Sequence, residues 1–351
     1  DGKTSIFVSN FYLFVDFFFV LSGFVITHSY GDRLTRFADV WRFMALRFWR
    51  LYPVHVLLLL ALIAFQVFKW YFDGFLGGKV GEGILEKESL SSILTHLLLI
   101  HSLGFTPSHH WNGPSWSIST EFYTYLLFAL IWVITVHRIQ LRWAAIVGLA
   151  VGSVIVLAIF PGNLTVERDF GLFRCIYGFA MGYFTYRVYR HFDATTGQLS
   201  DGIFRYCEAL MVLAVIAQLI WFGQELASLS APVIFAVFVF VFAFERGPVS
   251  ALFSKGPALY LGRLSYSMYM IHGFISLCLN GILRVAQHLT GTTLLSFNGE
   301  SYRFGTDAVT GFLWLFIYLG LVVLTSQILF RFFEDPLRQF GRNRVAVRGK
   351  N

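Results

Sequence analysis

Of the 351 residues, 56% are hydrophobic, 19% aromatic and 13% charged, whereas roughly a quarter of an ordinary soluble domain is charged. Forty Phe and a mean hydropathy of +0.65 are more than a water-facing fold can hide, since charge is what covers a soluble surface. A water-soluble fold is therefore excluded. The net charge of +7 does not indicate a nucleic-acid partner, because the basic residues fall between apolar runs rather than in one patch.

The composition predicts an all-α polytopic transmembrane helix bundle in a lipid bilayer. Crossing a hydrocarbon core of about 30 Å takes roughly 20 residues of helix. Runs of that kind predict nine spans, at Phe11–His28, Leu46–Phe68, Trp116–Val136, Trp143–Phe160, Phe170–Tyr186, Tyr206–Phe222, Leu226–Phe244, Ala258–Leu283 and Val309–Phe330. A further apolar stretch, Leu90–Gly104, carries His96 and His101 and is only 15 residues long, so a short re-entrant or interfacial helix is expected there. With that stretch not crossing, alternate connections hold 19 Lys and Arg against 6 in the others. This bias places the basic connections and the C-terminus in the cytoplasm. The longest polar connections, 69–90 and 284–308, are too short to fold around a core of their own.

Chemistry must then come from polar groups within or beside the spans, where an ionisable side chain costs about 2.5–3.5 kcal/mol even on insertion scales. Asp16, Glu121, Arg174, Glu208 and His272 are in this position. Glu208 lies beside Arg205, and a snorkelling ion pair is expected. Glu121 follows the polar stretch His109-His110-Trp111-Asn112-Gly113-Pro114-Ser115-Trp116-Ser117. Pro114 suits a helix start and Ser115 or Ser117 a cap, but a carboxylate turned into an aromatic span exceeds what capping requires. Glu121 is accordingly expected to serve a site. Helical periodicity puts Ser265, Tyr269 and His272 on one face. His272 is either a general base or proton shuttle or a packing histidine bonded to a neighbouring helix.

Asp16 and Arg174 are both expected near the outer ends of their spans, where they form a structural ion pair or join the site. Ser22 and Gly23 suit close helix contact. Arg42, Arg47 and Arg50 form a basic turn on the cytoplasmic side, explained by topology alone or by a phosphate-binding mouth. His96, His101, His109 and His110 have no acidic or thiol ligand at metal spacing, and no metal is expected. Cys175, Cys207 and Cys278 are too widely spaced for a zinc site or a disulfide framework.

Several stretches taken together resemble the acyltransferase-3 family of multi-pass membrane O-acyltransferases. They are Val15-Asp16-Phe17-Phe18-Phe19-Val20-Leu21-Ser22-Gly23-Phe24, Arg47-Phe48-Trp49-Arg50-Leu51-Tyr52-Pro53 and Trp116-Ser117-Ile118-Ser119-Thr120-Glu121-Phe122-Tyr123. Phe173-Arg174 with Gly178-Phe179-Ala180-Met181-Gly182, Leu261-Gly262-Arg263-Leu264-Ser265-Tyr266-Ser267 to His272, and Phe333-Glu334-Asp335-Pro336-Leu337-Arg338 complete the series in family order.

The resemblance implies ten transmembrane helices, with residues 1–340 as the transmembrane domain and 341–351 as a basic cytoplasmic tail. Its members usually begin with a helix carrying an Arg and then a His thought to be the catalytic base. No such pair precedes Val15-Asp16, so a missing first helix is expected. The implied activity is transfer of an acyl group, most simply acetyl from acetyl-CoA, to a hydroxyl of a carbohydrate or glycolipid at the cell (inner) membrane. Glu121 and His272 are the expected catalytic residues, while Arg47, Arg50, Ser117, Arg174, Ser265 and Asp16 are expected to bind donor or substrate. The competing readings are a secondary transporter or flippase built on Asp16, Glu121, Arg174 and His272, and an inactive family member.

Overall fold

The computed structural model describes residues 9–76, 90–104, 111–160, 163–167, 169–193, 200–297 and 302–348. His109 and His110 lie outside the described residues, as do parts of the connections 69–90, 105–115 and 284–308 and the chain's last three residues.

The architecture is an all-helical bundle. Its helices are α1 (Phe14–Tyr30, entered through a 3-10 turn at Asn10–Leu13), α2 (Phe37–Leu76), α3 (Leu90–Leu97), α4 (Ser115–Ile134), α5 (Ile139–Ile159) and α6 (Gly171–Asp193). There follow α7 (Asp201–Trp221), α8 (Ala231–Phe242), α9 (Pro248–Phe253), α10 (Gly256–Thr290), α11 (Ala308–Leu329) and α12 (Asp335–Arg348). A π-helical turn, Phe330–Glu334, joins α11 to α12, and an antiparallel hairpin of β1 (Leu295–Phe297) and β2 (Tyr302–Phe304) joins α10 to α11.

Every predicted span is a helix. Eight helical segments among the described residues are long and apolar enough to cross a membrane. The ninth predicted span, α6, falls short on hydropathy because it carries Arg174, Arg187 and Arg190, yet its 23 residues reach about 35 Å. It sits centrally, packed on α1, α4, α5 and α8, with Arg174 buried against Asp16 and Arg190 exposed at the helix end beside Asp32. Leu90–Gly104 contains only the eight-residue α3 and turns back at Leu99.

The helix ends follow local chemistry. Asp307 caps α11 by accepting from the Val309 and Thr310 amides, while Thr310 returns a bond to the Asp307 backbone. Those bonds hold the Asp307 carboxyl below its ordinary range. Gly291, at φ +68°, closes α10 in the left-handed conformation. The 40 residues of α2 run straight through Pro53, so Arg42, Arg47 and Arg50 are helical rather than part of a turn. Their spacing puts Arg47 and Arg50 on one face. Residues 341–348 continue α12, which packs Gly341 and Phe340 against Trp49 of α2.

Glu208 does not pair with Arg205. Its buried carboxylate accepts from the Gly247, Val249 and Ser250 amides at 2.9–3.1 Å and from the Ser250 hydroxyl, capping α9 from α7. Free amides at a helix start satisfy a buried carboxylate without a cation.

Among the described residues, α1 and α6 share the most extensive contact of any two helices. A Cβ at Gly182 would run into the Val20 carbonyl and the Gly23–Phe24 backbone, and one at Gly23 into the Phe179 carbonyl. Gly182→Val is therefore expected to destabilise the bundle by about 1–3 kcal/mol, read as a lower melting temperature in detergent. Gly148→Val, where a Cβ meets nothing within 4 Å, should leave melting unchanged.

Candidate active site

A cavity of about 280 Å³ opens between α1, α2, α4 and α10. Its polar lining is Ser22 from α1, Arg47 and Arg50 from α2, Ser117, Glu121 and Tyr125 from α4, and Ser265, Tyr266 and Tyr269 from α10. The apolar walls include Phe18, Val25, Ile26 and Leu51. Five of the eight residues singled out in the sequence thus share one cavity: Glu121, Arg47, Arg50, Ser117 and Ser265.

Glu121 is the only carboxylate on the described walls. Its Oε1 accepts from the Ser22 hydroxyl at 2.6 Å and from the Tyr125 hydroxyl. Tyr125 lies one turn after Glu121, a spacing visible in the sequence. Ser22 is 99 positions away, and its hydroxyl serves Glu121 while Gly23 makes the close helix contact. Arg47 sits in an aromatic cage, 5.2 Å from the Tyr30 ring, 5.4 Å from Phe43 and 5.5 Å from Tyr125. Cation–π attraction holds its guanidinium there, while its buried Nε makes no hydrogen bond. Arg50, one turn further along α2, is exposed at the rim. Ser117 bonds the Tyr269 hydroxyl at 3.0 Å, and Tyr269 in turn donates to the Pro114 carbonyl at 3.0 Å.

Three expected site residues lie elsewhere. Asp16 and Arg174 form a bidentate pair at 2.8 and 2.7 Å with both side chains 0% exposed. Arg174 also donates to the Tyr12 and Val166 carbonyls and lies 4.9 Å from the Trp116 ring. Four of its five N–H donors are engaged in this way, away from the cavity. His272 does not line the cavity. Its Nδ1 donates to the Tyr269 carbonyl of its own helix at 2.6 Å, and its own carbonyl accepts from Tyr318 of α11. The ring lies a turn beyond the cavity wall and supports the Tyr269 turn.

A feature absent from the sequence reading is the buried stack of His55, His96 and His101, with the last two rings 3.9 Å apart and nearly parallel. Parallel rings do not converge lone pairs on one point, and no cluster among the described residues has the makings of a metal site.

A carboxylate braced by hydroxyls, a caged guanidinium and a rim guanidinium make a cavity suited to proton handling beside an anionic ligand. The family profile described as an acyltransferase domain matches residues 2–331. The chain belongs to the acyltransferase-3 family. Among curated relatives, acyltransferase MdmB of Streptomyces mycarofaciens is 33% identical over 146 residues, 40% of this chain and 34% of the relative. Protein 2 in the picA locus of Rhizobium radiobacter is 46% identical over 57 residues, 16% of this chain and 30% of that protein. The chain thus spans about a third of the length of each relative. No solved structure matches. Membership accords with the multi-pass helical bundle, and parts of four of the resembling segments line the cavity while Asp16 and Arg174 pair beside it.

The ion pair offers a direct test of its structural role. Asp16→Asn strands a buried guanidinium and should cost about 3–5 kcal/mol, measured by thermal unfolding in detergent. Removing both charges, in Asp16→Asn with Arg174→Met, should recover much of that loss.

Proposed function

We propose that this protein transfers an acyl group, most simply acetyl from acetyl-CoA, to a hydroxyl of a carbohydrate or glycolipid at the cell membrane. The observation that carries the reading is that Glu121 and the Arg47–Arg50 face line one cavity, although hydropathy and basic bias put them toward opposite membrane faces. A donor arriving from the basic side and an acceptor arriving from the other can meet there.

Arg50 at the rim binds the donor's phosphates, to which guanidinium geometry is matched. Arg47, caged over Tyr125, supplies fixed positive charge where the thioester oxygen becomes negative. The acceptor oxygen attacks the thioester carbonyl; a C–O bond forms, the C–S bond breaks, and the coenzyme A thiolate leaves. The hydroxyl proton passes to a histidine base of the kind the family carries on its first helix, with Glu121 orienting that base or relaying its proton and Ser22 and Tyr125 fixing the carboxylate. Ser117, Tyr269 and Ser265 offer hydroxyls to the acceptor. The cationic connections and the C-terminus face the cytoplasm under the basic-residue bias.

The test is transfer of label from acetyl-CoA to glycan in membranes carrying the protein. Glu121→Gln should cut the rate about 10²-fold or more while leaving the amount of folded protein unchanged. Normal transfer by that variant would contradict the role of Glu121, and solute flux into proteoliposomes without any acyl donor would instead favour a transporter.

A further inference from the structure

The segment Leu90–Gly104 ends its short helix at Leu97 and bends back at Leu99. Carbonyls at such an end have no helical partners, and backbone of this kind is kept among membrane spans only where protein satisfies it. Here α2 and α4 supply the donors. The Ser119 hydroxyl of α4 donates to the Leu99 carbonyl at 2.5 Å and accepts from the Ser102 amide at 3.3 Å. Tyr123 donates to the Leu98 carbonyl at 3.0 Å, and His55 of α2 to the His96 carbonyl at 3.0 Å. In return, His101 donates to the Ser115 carbonyl at 3.1 Å. Leu99 stands at φ +56°, a left-handed conformation that a leucine rarely adopts. Ser119, itself 0% exposed, holds both sides of that bend.

These bonds bear on the cavity through the period of α4. Ser115, Ser119 and Tyr123 follow one another at four-residue spacing and share one face of the helix. Ser117, Glu121 and Tyr125 repeat that spacing two positions later, and all three line the cavity. At about 100° per residue the two stripes lie roughly 200° apart, on opposite sides of α4. The first stripe is bonded to Leu90–Gly104 along its whole length, so that α4 can neither roll nor slide without breaking buried bonds.

We propose that Leu90–Gly104 is a clamp on the back of α4 and that Ser119 is its positioning residue, fixing the rotation at which Glu121 meets Ser22. For catalysis this rests on the reading of Glu121 in acyl transfer. A serine that only packs would lower the amount of folded protein when altered and leave the turnover of the remainder unchanged. One that sets the rotation of α4 lowers turnover itself, because small misplacements of a reacting constellation are costly.

The first arm of the test needs no activity. In the whole chain carrying Ser22→Cys and Glu121→Cys, copper phenanthroline in membranes should join the two introduced thiols, read by mass spectrometry of the linked peptides. Adding Ser119→Ala should slow the joining about threefold or more, since intramolecular rates follow orientation. Tyr123→Phe, which keeps the ring and removes only the bond to Leu98, should slow it in the same direction, and decides the matter alone if Ser119→Ala does not melt cooperatively. In the second arm, with Ser22 and Glu121 intact, Ser119→Ala should lower kcat for acetyl transfer about tenfold or more while KM for acetyl-CoA stays within about twofold. Unchanged joining in Ser119→Ala, or a kcat within about twofold of the parent chain, overturns the role of Ser119. Absence of transfer by the parent chain overturns the acyltransferase reading instead, and the joining rates then decide the clamp by themselves.

Discussion

The buried Asp16–Arg174 pair is the interaction on which the rest of the bundle depends. In lipid, a lone charge at either position would be too costly to keep, while a bidentate pair with carbonyls on two more guanidinium hydrogens is largely satisfied. It fixes the register of α1 along α6. Gly23 and Gly182 then let the two backbones touch, and that approach leaves Ser22 facing α4 instead of α6, within 2.6 Å of Glu121. A one-residue shift of α1 would swing Ser22 about 100° around the helix and leave Glu121 without this donor. The ion pair is thus outside the cavity and still shapes it.

The same economy governs the other buried charges. Glu208 is met by backbone amides, Arg47 by aromatic faces and Glu334 by a serine hydroxyl. None of these solutions consumes a second full charge, which is how a chain with only 13% charged residues keeps several ionisable groups inside. Arg50 lies at the rim with no salt-bridge partner among the described residues.

Much of this was legible in the sequence. Nine hydropathic runs gave nine helices, and the separation of Asp16 from Arg174 did not hide their pairing, since both were unaffordable alone. Glu121, expected to serve a site because a carboxylate in an aromatic span exceeds what capping requires, lines the cavity. What hydropathy does not encode is where long helices end and what a carboxylate meets across the bundle. Arg42, Arg47 and Arg50 read as a basic turn because basic residues punctuate spans, whereas α2 continues through all three, and Arg47 and Arg50 line the same cavity as Glu121. Glu208 was misassigned to its sequence neighbour because its partners, the amides of residues 247–250, carry no side-chain signature. The π turn that buries Glu334 is likewise a backbone event with no compositional mark.

On the proposed function, the cavity between α1, α2, α4 and α10 receives the acyl donor. The most direct measurement is photo-crosslinking with a coenzyme A thioester bearing a photoreactive acyl group, followed by mapping of the labelled peptides. The account predicts label on the α2 segment around Arg47–Leu51 and the α10 segment around Gly262–Tyr266, suppressed by excess acetyl-CoA. Competable label confined to α7, α8 or α11, with none on these two segments, would contradict it.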